Sequence, residues 1–165
     1  VREFDYKTVG QAGGPREVRG LGCRAFGTEG FDLISLLKSD PAAGHAWIEQ
    51  ESENIRSEMA SATDGVFYRL AGCDPTHTSP MEYGGYFVPA EAAILDRAST
   101  QRIVWAESAP ETYFDFLADI PCDLFGWDVE TGPSVDEMRG IRRERLLADS
   151  EHADVRLISP VPNVF

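Results

Sequence analysis

Asp64–Gly–Val–Phe–Tyr68, Arg102–Ile–Val–Trp–Ala–Glu107 and Cys122–Asp–Leu–Phe–Gly–Trp–Asp128 decide the reading of this chain. Each is a short apolar run whose end carries charged or aromatic polar groups, and such runs read as strands. In a parallel α/β protein, chemistry sits at the C-terminal ends of strands and in the loops that follow. Three such ends in succession point to a site more firmly than any single motif in the chain.

The segments between these runs read as helices. Phe31–Lys38 places Leu33, Leu36 and Leu37 on one side of a short helix. Asp40–Pro41 is a helix start, with an N-cap residue before a proline at the first helical position. From there to Ala62, Trp47, Ile55 and Met59 recur at multiples of four, the stripe of an amphipathic helix. Ser79–Pro–Met–Glu82, Ser108–Ala–Pro–Glu111 and Ser134–Val–Asp–Glu137 all fit the capping box. Pro89 should split or kink the helix it falls in. Val18–Arg24 reads as a weaker first strand, interrupted by Gly20 and Gly22. The expected order is strands at 18–24, 64–70, 102–106, 122–127 and 155–159, with helices at 31–38, 40–62, 79–98, 110–118 and 134–144. Repeated strand–helix–strand units imply a parallel sheet with right-handed crossovers.

Composition excludes several classes. Fifteen basic and 28 acidic residues give a net charge of −13, which argues against nucleic acid or an anionic membrane as partner. No window approaches the ~18 consecutive apolar residues of a membrane span. The three cysteines, Cys23, Cys73 and Cys122, are far apart and odd in number, the pattern of a reducing cytoplasm. The chain reads as a single domain over residues 1–165. It starts at Val1 without methionine and stops just after the strand-like Val155–Arg–Leu–Ile158, so a fragment of a longer protein is expected.

From Phe31 to Gly140 the chain resembles the uroporphyrinogen decarboxylase family. The matching pieces are the helix start at Asp40–Pro41, the strand Thr63–Asp–Gly–Val–Phe67, and Tyr86–Phe–Val–Pro89. The strongest is Phe116–Leu–Ala–Asp–Ile–Pro–Cys–Asp–Leu–Phe–Gly–Trp–Asp128, followed by Thr131–Gly–Pro–Ser134. The resemblance implies a partial (β/α)8 barrel, with parallel strands and outer helices. It also implies a metal- and cofactor-free decarboxylase of a tetrapyrrole or related polycarboxylate, whose key aspartate and arginines lie mainly upstream of Val1. The family also holds corrinoid- or thiol-linked methyltransferases, which carry a His-x-Cys zinc motif where this chain has Trp105–Ala106–Glu107. Thiolate and imidazole are the ligands that zinc selects, so this departure counts against a metal site. Corrinoid-linked chemistry and a non-catalytic ligand-binding barrel are the alternatives.

The candidate site residues stand at the strand ends. Glu107 and Asp128 are the catalytic candidates, two carboxylates on adjacent strands suited to acid–base work if both face the barrel mouth. Arg69 and Arg24 are candidates to bind a substrate carboxylate. Trp127 is the better candidate to stack on a flat ring, because Trp105 has an equal chance of packing under the helices. Cys73 and His77 form at most half of a metal site, and His77 reads as a surface-loop histidine. His45 and His152 read as solvated, and the basic run Arg139–Arg145 as a helix C-terminus. A small molecule is the expected partner. A half barrel would expose strand edges and the inner faces of Val66, Tyr68, Val104 and Leu124 or their neighbours. Aggregation, or a second copy that closes the sheet as a homodimer, is therefore expected.

Overall fold

Glycine decides how the sheet begins. In the computed structural model, which describes residues 14–107, 109–142, 145–149 and 156–158, β1 (Arg16–Arg19) gives way after Gly20 to α1 (Leu21–Phe26). The strand expected over Val18–Arg24 thus turns into a helix halfway. A Cβ on Gly20 would lie 2.5 Å from the Arg69 carbonyl oxygen, and one on Gly22 2.0 Å from that of Ala71. The start of α1 therefore presses on the backbone leaving the next strand. Gly22→Ala is expected to cost about 1–3 kcal/mol through overpacking, read as a lowered urea midpoint. An unchanged midpoint would mean that this approach has slack.

The helix starts at Asp40, Ser79 and Ser134 are built from the side chains that predicted them, and the helix that begins at Leu33 adds a cap not named from the sequence. α2 (Leu33–Ser39) is capped by Asp32, which accepts from Ser35 N–H. α3 (Pro41–Ala60) is capped by Asp40, with Pro41 in the first turn. α3 buries Ile48, Ser52, Ile55 and Met59, while Trp47 is half-buried against the ring of Phe31, 4.9 Å away. β2 (Val66–Leu70) follows, then the Ser79–Glu82 capping box opens α4 (Pro80–Glu82). A π-helical segment, Tyr83–Phe87, then leads into α5 (Val88–Asp96). Pro89 has no N–H to give to a carbonyl four residues back. The chain absorbs the defect in the preceding turn, where Val88 N–H reaches five residues back to Tyr83. This is the physical form of the expected kink.

The second half follows the same plan with shorter pieces. β3 (Arg102–Ala106) leads to a 3-10 helix, Phe114–Asp119, in place of the α-helix expected over 110–118. Of the capping box proposed there, Ser108 lies outside the described residues. β4 (Leu124–Asp128) leads to α6 (Val135–Ile141), which starts with the Ser134–Glu137 capping box. α6 ends before the expected 144. A strand that the sequence reading missed, β5 (Arg145–Asp149), takes up the end of the basic run. β6 (Arg156–Ile158) falls within the expected last strand. His152 and the tail Val161–Phe165 lie outside the described residues.

The strands form one sheet in sequence order, β1-β2-β3-β4-β5-β6. Neighbours from β1 to β5 are parallel, but β6 runs antiparallel to β5, against the all-parallel expectation. With right-handed crossovers, a sequential order puts the connecting helices on one face of the sheet. Val18, Tyr68, Leu70, Val104, Ala106, Phe125 and Trp127 share one core with helix residues such as Ile55, Phe87 and Met138. By alternation, Phe67, Ile103, Trp105 and Leu124 belong to the opposite face, and all four are buried. Phe67 and Trp105 stack there with ring centroids 6.3 Å apart. The expectation of exposed inner residues is corrected on two counts. Val66, Tyr68 and Val104 face the helices, and Leu124, on the other face, is buried as well. No described helix is long and apolar enough to cross a membrane.

Candidate functional site

The parallel register brings the charged strand ends together. Arg19 pairs with Arg69 and Arg69 with Trp105. Ala106 pairs with Trp127, so Glu107 and Asp128 leave their strands at the same end of the sheet. There a cleft of about 420 Å³ opens over β1, β2 and β3, with Glu17, Arg19, Arg69, Glu107 and His77 among its lining residues.

Arg69 is the hub of this cleft. Its Nε donates to Glu107 Oε1 at 2.8 Å, its Nη2 donates to the same oxygen, and its Nη1 reaches Glu17 at 3.2 Å. Partial burial works against the charged guanidinium, but the bonds to Glu107 and Glu17 outweigh it and raise the pKa above its ordinary value. Arg19 differs. Its Nη2 donates to the Cys23 carbonyl at 2.8 Å, and among the described residues no carboxylate pairs with it. The guanidinium lies over Gly27, where a Cβ would come within 2.3 Å of Nη2. Gly27 thus leaves the space that Arg19 occupies.

His77 stands on the far wall. Its Nδ1 lies 3.0 and 2.9 Å from the two oxygens of Asp74, and its ring packs on Phe26 with centroids 4.9 Å apart. Phe26 is seated on Gly72, whose φ of +90° suits glycine and where a Cβ would lie 2.2 Å from the Phe26 ring. Asp74 is buried and also accepts from Thr76 N–H at 2.9 Å, while its carbonyl takes the N–H groups of His77 and Thr78. Thr78 Oγ1 donates to the Gly72 carbonyl at 2.6 Å, and Tyr113 Oη to that of Thr78 at 2.8 Å. His77 is thus the surface-loop histidine that the sequence suggests, 41% exposed, and the long loop after β2 that carries it is held in place by these contacts.

Cys23 and Cys73 are poorly placed to act as nucleophiles. Cys23 lines the cleft, but its Sγ donates to the Arg69 carbonyl at 3.3 Å. Burial, then the charges of Glu91 and Glu107, push its thiol up to about 11. Burial pushes Cys73 up to about 12. Thiols at these values carry almost no thiolate at neutral pH.

Of the candidates named from sequence, Arg69 and Glu107 meet in the cleft. Asp128 lies one strand further along the same rim, where its Oδ1 accepts from Glu130 N–H at 2.8 Å, and it does not line the cleft. Trp127 is corrected. It is fully buried on the helix side, with Nε1 donating to the Pro133 carbonyl at 2.8 Å. The alternation along β3 puts Trp105, not Trp127, on the face of Arg69. Arg24 is corrected too. It sits on α1, where it binds Glu58 at 2.8 Å and Glu51 at 3.5 Å and ties α1 to α3. Arg19 and His77 were missed as site residues. Asp74-x-x-His77 was a visible signal for a paired histidine, while Arg19 depended on the phase of β1. Among the described residues, no group of three or more His, Cys, Asp and Glu side chains is placed to hold a metal ion.

Comparison with protein-family models, with curated proteins and with solved structures gives no match.

Proposed function

We propose that this chain is an enzyme of the uroporphyrinogen decarboxylase type, built on the (β/α)8-barrel plan. It takes a tetrapyrrole or related polycarboxylate into the rim cleft and releases carbon dioxide without a metal. The observation that carries the reading is Arg19, a guanidinium without a carboxylate partner among the described residues, beside Arg69 in one cleft. Guanidinium forks recognise carboxylates through paired N–H donors. Glu17 and Glu107 hold Arg69 and leave Arg19 to meet the ligand. The position supports the reading as well. In barrels of this plan the ligand sits at the C-terminal strand ends, and sequential one-sided winding is what a barrel needs. A doubly wound sheet reverses its strand order instead. The resemblance over Phe31–Gly140 supplies the substrate class.

Incubation of the full chain with uroporphyrinogen, followed by chromatography of the porphyrins, tests this. Stepwise loss of carboxylates is expected, and Arg19→Ala should lower kcat/KM by about 10–100-fold, the worth of one charged hydrogen-bonded contact. A chain that neither binds nor converts uroporphyrinogen would reject the reading. Methyl transfer with stoichiometric metal would favour the methyltransferase branch. Binding without any turnover would favour a non-catalytic barrel.

A further inference from the structure

Loss of carbon dioxide leaves an electron pair on carbon, and that carbon needs a proton. The cleft offers few sources. Glu107 Oε1 is occupied by two donors of Arg69. Cys23 Sγ already donates to the Arg69 carbonyl. His77 is different, because Nδ1 is held by Asp74 while no bond within the described structure engages Nε2.

We propose that His77 is the proton donor of the rim cleft and that Asp74 is its positioning residue. The inference rests on the polycarboxylate reading above. In the step, the bond from carbon to the departing carboxylate breaks and carbon dioxide leaves. Its electron pair stays on the carbon and takes the proton from Nε2 of the imidazolium, forming a C–H bond. The imidazole becomes neutral, with its remaining proton on Nδ1 toward Asp74. Solvent returns the lost proton, since the His77 side chain is 41% exposed. The balance is one carboxylate and one proton in, one C–H bond and one carbon dioxide out.

The surroundings fit this role. Asp74, almost wholly buried, engages Nδ1 and so leaves Nε2 as the ring nitrogen without a partner among the described residues. Phe26 holds the ring plane. The other charged or titratable groups lining the cleft are Glu17, Arg19, Cys23, Arg69 and Glu107. A carboxylate ligand on Arg19 would bring the reacting carbon into the cleft that His77 also lines.

Calorimetric titration of the full chain with uroporphyrin reads binding separately from turnover. His77→Gln should bind within about 10-fold of wild type. With uroporphyrinogen, His77→Gln should lower kcat by at least about 100-fold and change KM far less. Asp74→Asn, which keeps an oxygen for Thr76 N–H, should lower kcat and change KM far less, as expected of a positioning residue. His45→Gln should change nothing. Binding with unaltered kcat in His77→Gln would overturn the donor and leave the polycarboxylate reading standing. No binding to wild type would overturn both.

Discussion

Trp127→Ala is expected to lower the unfolding free energy by about 3–5 kcal/mol, the range for truncating a buried aromatic side chain. The indole is fully buried between β4 and the helices. Its removal also leaves the Pro133 carbonyl without the N–H it accepts at 2.8 Å. Gly132 is shaped to the ring, since a Cβ there would lie 2.8 Å from it. Urea unfolding measures the loss. Under conditions where the variant stays folded, uroporphyrin binding should be that of wild type, because the ring lies on the face away from the cleft. A small stability change with lost binding would return Trp127 to the substrate.

The second large effect is a dependence of stability on pH. Glu91 on α5 is fully buried. It accepts from Tyr68 Oη, and from Gly22 N–H at 3.2 Å. Burial lifts its pKa from the ordinary 4.5 to about 7, against the opposing pull of those bonds and of Arg24. Tyr68 and Tyr83, its buried neighbours, are held well above their ordinary range, first by burial and then by Glu91. The native state therefore binds the Glu91 proton more tightly than the unfolded chain does. The stability this contributes is complete below pH 4.5 and is lost as pH rises through about 7. Its size is about 3 kcal/mol. Glu91→Gln mimics the protonated acid, with an amide oxygen for Gly22 N–H and an amide nitrogen for the Tyr68 oxygen. The variant should match wild type at pH 4 and exceed it by up to about 3 kcal/mol at pH 8. The comparison isolates Glu91 from Asp32, Glu82, Asp123 and Glu137. Their lowered pKa values stabilise the fold at higher pH and act in the opposite sense, in acid. Parallel pH profiles for the two proteins would contradict the account.

What could be read in advance follows from how local each signal is. β2, β3 and β4 are apolar runs that need no partner to be seen, and the caps at Asp40, Ser79 and Ser134 are complete within four residues. The turn from β1 into α1 is not local. Gly20 and Gly22 are required by carbonyls of Arg69 and Ala71, almost fifty positions away, and nothing in Val18–Arg24 records that contact. β5 was hidden because its basic first residues also suit a helix end. The two tryptophans show a different limit. Alternation gives a strand two faces but not which one meets the helices, so Trp105 stays open from sequence and Trp127 is placed on the wrong side with the period correct. Arg69 and Glu107 were found because they sit at the ends of legible strands. Arg19 was lost with the phase of β1. His77 is the surface-loop histidine that the sequence suggests, but the contacts with Phe26 and Tyr113 that hold its loop are concealed by distance in sequence.

The central claim is that the rim over β1–β3 holds a polycarboxylate. Backbone amide chemical shifts of the full chain, followed during titration with uroporphyrin, test it most directly. The account predicts saturable shifts concentrated at Arg19, Gly27, Arg69, Ala71, His77 and Glu107. Shifts confined to the separate groove lined by Thr112, Phe116, Thr131 and Glu137, or no saturable shift at all, would contradict it.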